Sequence, residues 1–352
     1  MLTRSAKYAS VSAKIGAERS RLLSEAKLKA LSESKDLNDF VAQLKETVYQ
    51  PQLAKTAQPY SSRKLERVFQ ENLIEAYVKI IKNSPVSAKT YLTMFLRKLE
   101  TENIKALIKA INADLDTEEK EARIYLSVED YLRHRQQFEE ALKATDPKQL
   151  SAAFAKTEYA LALSYGLKSY EEGGATTCFD VLVDKVYYEK LFDSYRKLPK
   201  REKPHALFYA SMESSSYILL TLLRGKILNH DPNWLRVIIP DAHFLTNETI
   251  ESMVTAPDFE AALNIVQKTT YKKFFTKAQT PDQTVANAEK AFQKEVYKRA
   301  LESRISEIFN IGVPLAFLSQ KQAEFRNLVT ISIGVEASLK PENIQNLLLL
   351  ER

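Results

Sequence analysis

The sequence predicts an all-α fold built from three homologous helical lobes, and three observations support that prediction. Glycine is scarce, at 7 of 352 residues against ~7% in an average protein, which leaves few tight turns and favours helix. The pattern Asp-x10-Thr-x-Tyr occurs three times, at spacings of 110 and 112 residues. No stretch alternates apolar and polar residues for long enough to build a sheet.

The recurring pattern is typical of a capped amphipathic helix. Aspartate is a preferred N-cap because its carboxylate accepts a free backbone N–H of the first turn. Apolar residues follow mainly at offsets +1, +4, +5 and +8, which places them on one helix face. In the second copy, Pro147 and Gln149 nearly complete a capping box. The sequence therefore predicts equivalent helices in three segments, residues 36–49, 146–159 and 258–271.

A second recurring element reads acid, base, apolar, aromatic, and then an aliphatic residue one turn later. This spacing indicates the inner edge of a long helix. Its three aromatic residues are predicted to be buried, and they are Phe69, Tyr187 and Phe292.

A third recurring element is fainter, and its best match is between two distant parts of the sequence. Glu100 and Asn103, with Ile104 and Leu107, match Glu324, Asn327, Leu328 and Ile331, whereas the middle copy shows Ser215, Ile218, Leu219 and Leu222. The three copies end at Ala110, Gly225 and Gly334. We expect the two glycines to serve as helix C-terminal residues.

These repeats divide the chain into three lobes of about equal size, predicted as residues 1–126, 127–238 and 239–352. Neighbouring lobes related by a pseudo-threefold rotation would form a ring or funnel if the arrangement closes, and an open stack if it does not.

Composition indicates an intracellular protein that does not cross a bilayer. A single cysteine, Cys178, excludes an intrachain disulfide and favours a reducing compartment. Residues 1–14 have no apolar segment typical of a signal peptide. The longest apolar stretches, residues 217–223 and 347–350, are far shorter than the ~20 residues of a membrane span.

The net charge of +6 raises the alternative of nucleic-acid binding. The densest basic stretch contains Lys197, Lys200, Arg201 and Lys203, but Pro199 and Pro204 interrupt it. We interpret it as a solvated loop between helices.

The sequence predicts no catalytic, cofactor-binding or metal-binding residue. The sequence has four histidines, His134, His205, His230 and His243. None has a second histidine three or four residues away, which excludes the paired-histidine motif of helical metal sites. Cys178 has no cysteine partner and is expected to pack beside Phe179. Gly225 and Lys226 lack the remaining residues of a phosphate-binding loop. These features favour a protein that is not an enzyme and binds neither ATP nor a structural metal.

Three segments resemble a known family. They are residues 19–24 (RSRLLS) with the helix beginning at Asp36, residues 179–191 around DKVYYEKL, and residues 321–328 (KQAEFRNL) running to Gly334. The chain resembles the C subunits of archaeal-type and bacterial V/A-type ATP synthases, and is similar to the d subunits of vacuolar ATPases. The resemblance runs nearly end to end.

The resemblance implies a funnel of three helical lobes without an active site. It also implies partners: central-stalk subunits would insert in the funnel, whose other end would rest on the membrane rotor ring. The expected role is a non-catalytic component of the central stalk at the cytoplasmic face of the membrane, coupling the stalk to proton or sodium transport.

Two alternatives stay open at this stage. One is a helical cytoplasmic scaffold for other protein partners, and the other is the basic nucleic-acid binder. The sequence names neither the transported ion nor the direction of ATP turnover.

Overall fold

The computed structural model describes residues 4–241, 243–306 and 309–351, so the first three residues of the segment 1–14 lie outside the described part. Within these ranges the chain is helical and contains no β-strand, which confirms the predicted all-α class. In chain order, the α-helices are α1 (Arg4–Arg19), α2 (Glu25–Ser32), α3 (Leu37–Leu44), α4 (Gln50–Leu53), α5 (Ser62–Asn83), α6 (Val86–Leu92), α7 (Met94–Asn112), α8 (Thr117–Glu121), α9 (Leu126–Leu132), α10 (Arg135–Leu142), α11 (Pro147–Ala153), α12 (Ala160–Glu171), α13 (Thr177–Arg196), α14 (Lys203–Ile227), α15 (Pro232–Ile238), α16 (Asn247–Thr255), α17 (Phe259–Val266), α18 (Pro281–Ser306), α19 (Gly312–Glu336) and α20 (Pro341–Leu347).

The first compact unit combines both ends of the chain, residues 1–92 and 293–352. Its central element is α19, which packs against α1, α2, α3, α5 and α20. Side chains on almost every face of α19 are buried, as expected for a helix surrounded by others. The main apolar core here joins α2, α3, α5 and α19, and Phe40, Phe69 and Leu328 are fully buried in it.

The second unit spans residues 93–292. Helix α13 packs against α7, α12 and α14, while α17 packs against α14 and α16. One core in this unit contains Phe138, Phe154 and Phe179. Cys178 lies in the same core, and its thiol donates to the Gly166 carbonyl at 3.3 Å, in agreement with the expected packing beside Phe179.

The three predicted N-caps are confirmed. The carboxylates of Asp36, Asp146 and Asp258 each accept a backbone N–H of the first turn, at 2.8–2.9 Å. In a capping box the third helical residue accepts the backbone N–H of the N-cap residue. Here the Gln149 side chain accepts instead from the N–H of Thr145, the residue before the N-cap Asp146, at 3.1 Å.

The Thr-x-Tyr endings also share one local structure. Each threonine hydroxyl donates to the carbonyl three residues earlier, at 2.6–2.8 Å. Each hydroxyl oxygen also accepts the N–H of the tyrosine, at 3.1–3.3 Å. The threonine therefore turns the chain at the end of the helix and sets the position of the tyrosine, so the pattern has one physical cause in all three copies.

The ends of α7, α14 and α19 recur as well, but the expected role of the glycines is wrong. Each helix ends with a bond from the N–H of a residue to the carbonyl five positions back, joining Leu115 to Ala110, His230 to Gly225 and Leu339 to Gly334 at 2.9–3.1 Å. This is the Schellman arrangement, and its left-handed residue is Asp114, Asn229 or Ser338, with φ of 52–54°.

The glycines lie four residues earlier, inside the helix, where they serve close packing. A Cβ on Gly334 would lie 2.6 Å from Ile344 Cγ1, and one on Gly225 would lie 2.4 Å from Leu235 Cδ2. Helix α20 thus packs so closely against α19, and α15 against α14, that any residue larger than glycine at these positions would force the neighbouring side chain to move.

The aromatic residues of the second repeat element are buried as predicted. Phe69, Tyr187 and Phe292 are 0%, 5% and 3% exposed. The rings of Phe69 and Tyr49 pack edge-on with their centroids 5.4 Å apart, and the ring centroids of Phe292 and Tyr271 are 5.9 Å apart. The first two repeat elements therefore pack together in at least two copies, while the three-lobe arrangement and its boundaries remain predictions.

Among the residues that the structure describes, helix α14 is long and apolar enough to cross a membrane by length and composition, but 61% of its most apolar 18-residue stretch is buried inside the protein. Core helices of globular proteins commonly have these properties. The basic stretch precedes this helix as an interhelical segment, as expected, and exposes Lys197, Lys200 and Arg201.

Candidate functional site

The first candidate site is a buried polar cluster on α19, within the segment that carries the family resemblance. Lys321 and Glu324 are 4% and 5% exposed, and they form an ion pair at 2.6 Å between Nζ and Oε1. The Tyr49 hydroxyl donates to Glu324 Oε1 at 2.5 Å and accepts from Lys321 at 3.0 Å. Burial, and then the adjacent Glu324 carboxylate, hold the pKa of Tyr49 well above its usual value, so the hydroxyl keeps its proton.

The same helix fixes both chain ends. The Leu23 N–H donates to Glu324 Oε2 at 2.5 Å. The Asn327 amide brackets Leu349, donating to its carbonyl at 2.9 Å and accepting its N–H at 2.7 Å. Residues more than 300 positions apart in the sequence are thereby joined through one turn of α19.

The second candidate site is an equivalent cluster on α7. Arg97, Glu100 and Asn103 take the positions that Lys321, Glu324 and Asn327 have on α19. Tyr159 donates to Glu100 Oε2 at 2.8 Å, as Tyr49 does to Glu324. The Asn103 amide brackets Tyr125, at 3.2 Å to its carbonyl and 3.0 Å from its N–H. The faint third repeat element thus marks two copies of one hydrogen-bonding arrangement.

The α7 cluster differs by two added titratable groups. His134 bonds through Nδ1 to Glu100 Oε1, and Glu129 accepts from Asn103 Nδ2 at 2.7 Å. Both Glu100 and Glu129 are fully buried. Burial, followed by repulsion from Glu100, raises the pKa of Glu129 to about 9, whereas the hydrogen bond to Glu100 raises the pKa of His134.

Sequence reasoning missed this group because its members come from separate elements. His134 lies 34 residues from Glu100 along the chain, so a search for partners three or four residues away does not find it. The His134 side chain is 21% exposed, so most of it lies inside this cluster. The match between Glu100 and Glu324 was the available signal, since an acidic residue at a core position of a helix needs a partner.

The middle copy has lost the cluster. Ser215 stands where the other copies have glutamate, and the buried hydroxyls of Ser214 and Ser215 have no hydrogen-bond partner in the described part of the chain. Tyr271 is half-buried and contacts Phe274 and Phe292 instead. Tyr271 thus keeps the kind of ring contact that Tyr49 makes with Phe69, whereas Tyr49 and Tyr159 also donate a hydrogen bond to a glutamate.

These arrangements are suited to holding helices in fixed positions. Buried charged and amide groups, when fully hydrogen-bonded, specify one geometry for the elements that they join. The two clusters do this within their respective units, at Glu324 and at Glu100.

Comparison with known proteins agrees with the sequence resemblance. Residues 11–347 match the family described as ATP synthase (C/AC39) subunit. The chain is 26% identical to the A-type ATP synthase C subunit of Methanocaldococcus jannaschii, over 98% of this chain and 86% of that protein. It is 25% identical to the C subunits of the A-type ATP synthases from Pyrococcus abyssi and Thermococcus kodakarensis, over 97% and 96% of this chain and 90% and 89% of theirs.

Proposed function

Since the chain belongs to the ATP synthase (C/AC39) subunit family, we propose that it is the non-catalytic socket of a rotary ATPase. In this role it joins the rotating central stalk to the membrane ring that carries protons or sodium ions. The match over residues 11–347 is the observation on which the proposal rests. It extends over nearly the whole chain, so the assignment does not depend on one local motif.

The internal structure supports a mechanical role. A socket transmits torque only if its helices keep their relative positions under load. Helix α19 packs against α1, α2, α3, α5 and α20. The Glu324 and Asn327 side chains bond to the backbone of Leu23 and Leu349, near the two ends of the chain, and Lys321 bonds to Tyr49. The α7 cluster does the same for elements of the second unit.

The charge of the chain supports recognition of an acidic partner. A net charge of +6 accelerates encounter with an acidic stalk surface, and this effect weakens as salt is added. Binding strength itself depends on a few well-packed anchors rather than on total contact area. We propose that the chain sits at the cytoplasmic face of the membrane as a peripheral component of the complex.

Purification through an affinity tag on this chain tests the assignment. Gently solubilised membranes of the native organism should yield the central-stalk and rotor-ring subunits together with it, in fixed ratio. A soluble fraction with other protein partners and no ATPase subunits would instead support the scaffold alternative. Salt-dependent binding of the isolated chain to DNA at physiological ionic strength would support the nucleic-acid alternative.

A further inference from the structure

Three possible metal ligands converge in the α7 cluster. They are Glu100 on α7, Glu129 on α9 and His134 immediately before α10. One nitrogen or carboxylate oxygen from each lies within 4.8 Å of the other two. Small side-chain rotations would bring one atom of each to the distances of ~2.0–2.2 Å that are typical of imidazole nitrogen and carboxylate oxygen ligands.

The opposite oxygens of the two carboxyl groups are already fixed by donors. Glu100 Oε2 accepts from Tyr159 at 2.8 Å and from Arg97 at 3.2 Å. Glu129 Oε1 accepts from Asn103 at 2.7 Å. Metal-ligating carboxylates in proteins are oriented by outer donors of this kind, so the arrangement resembles a ligand set with its supporting shell in place.

One oxygen of Glu129 accepts no hydrogen bond. No donor group among the described residues reaches Glu129 Oε2, which lies beside the Glu100 carboxyl group in a side chain that is 0% exposed. A buried polar atom without a partner carries a large desolvation cost. A ligand at this atom would remove that cost.

The backbone holds two of the ligands in place. Arg133 adopts a left-handed conformation with φ of 66° at the end of α9, and the following N–H, of His134, donates to the Glu129 carbonyl at 2.9 Å. This turn brings the imidazole back towards the carboxyl group of the same helix. This is the same Schellman ending that occurs at Asp114, Asn229 and Ser338.

We infer that Glu100, Glu129 and His134 form a binding site for a divalent transition-metal ion, with Zn²⁺ the best match. The ion takes one ligand atom from each of the three side chains, replacing the hydrogen bond between His134 Nδ1 and Glu100 Oε1, and water completes its coordination. An imidazole ligand favours Zn²⁺ over Mg²⁺ and Ca²⁺, which prefer all-oxygen sets. Such a site departs from the sequence expectation of no metal-binding residue, and it goes beyond the proposed coupling function. The ion would stabilise the second unit rather than take part in ATP turnover.

Calorimetric titration of Zn²⁺ into the chelator-treated full chain tests the site. We expect saturable binding at one ion per chain, a Zn²⁺-dependent rise in melting temperature, and retention of both in the control His230→Asn, because His230 is exposed outside the cluster. Glu129→Gln and His134→Asn should abolish saturable binding. Tyr159→Phe, which removes only an outer donor, should weaken it ~10–100-fold.

Absence of saturable binding in the wild-type chain would overturn the inference, as would equal affinity in Glu129→Gln. In that case the two carboxyl groups share a proton and no ion. If Glu129→Gln does not fold, Co²⁺ absorption decides: bands characteristic of a low-symmetry site must appear in the wild type and vanish in His134→Asn, and their persistence contradicts the assignment. Neither result bears on co-purification with ATPase subunits, so failure here leaves the proposed function intact.

Discussion

Single side chains in this protein join segments that are distant in sequence. The Tyr49 hydroxyl reaches Glu324 across 275 positions, and Tyr159 reaches Glu100 across 59. Each tyrosine is placed by the local turn that its threonine forms. A local signal thus delivers a side chain to a long-range contact, which explains why the Thr-x-Tyr pattern accompanies the glutamate in two copies.

At the residue scale, loss of a buried aromatic ring should be costly. Replacing Phe69 or Phe292 with alanine leaves a cavity in a packed interior, so each should lower the free energy of unfolding by ~3–5 kcal/mol. Tyr165 is 64% exposed, and Tyr165→Ala is the matched control, expected within ~0.5 kcal/mol of wild type. Denaturant titration measures all three, and near-neutral results for both phenylalanines would mean that the second repeat element does not face a core.

The buried ion pair on α19 gives a second residue-scale prediction. Lys321→Met leaves Glu324 buried without its cation and should cost ~3–5 kcal/mol, while the double variant Lys321→Met/Glu324→Gln should recover part of the loss. Arg67→Met removes an exposed pair with Glu71 and should cost less than ~1 kcal/mol. Chemical denaturation distinguishes these outcomes. A double variant as destabilised as the sum of the two single ones would show that Lys321 and Glu324 act independently.

At the scale of elements, three long helices end in the same way and are followed by a short helix. The left-handed residue is Asp114, Asn229 or Ser338, and α8, α15 or α20 begins three residues later. How closely the short helix packs then depends on the long-helix residue that faces it. Gly225 and Gly334 allow close packing, and the side chains that contact them, Leu235 and Ile344, differ in how easily they can move aside.

This difference predicts that one substitution destabilises the protein more at one glycine than at the other. A methyl group at Gly334 meets Cγ1 of Ile344 at 2.6 Å and Cδ1 at 2.8 Å, and Cγ1 lies close to the backbone, so Gly334→Ala should cost ~1–3 kcal/mol. At Gly225 the contact is the flexible tip of Leu235, and the better helix propensity of alanine, worth up to ~1 kcal/mol, should leave Gly225→Ala near neutral. Thermal unfolding of the two variants tests whether Gly334→Ala lowers the melting temperature more than Gly225→Ala does. Equal destabilisation would show that helix spacing does not depend on the stiffness of these neighbours.

The elements that were predicted correctly from the sequence have local causes. An N-cap at Asp36 or an apolar stripe such as that of residues 259–266 depends on residues within one or two turns, and spacing alone reveals it. Gly225 and Gly334 were misassigned because the reason for each lies in a separate helix. The convergence of Glu129 and His134 on Glu100 was missed for the same reason, since tertiary packing sets the distances between those elements.

At the scale of the whole molecule, a densely packed helical protein belongs to a family of ATP synthase subunits. Both ends of the chain lie in one unit, so its stability depends on contacts between the beginning and the end of the sequence. In the proposed coupling role, the chain transmits torque and lowers no chemical barrier. Its removal should therefore change the coupling between ATP hydrolysis and ion movement, and leave the chemistry of the soluble head unchanged.

Parallel assay of hydrolysis and ion pumping in reconstituted vesicles, with and without this chain, tests the coupling role most directly. We expect vesicles lacking the chain to hydrolyse ATP at a substantial rate but to move no ions, because the stalk turns without driving the ring. Adding the purified chain back should restore pumping. Pumping that persists without the chain, or hydrolysis by the head that disappears together with pumping, would contradict the proposed coupling role.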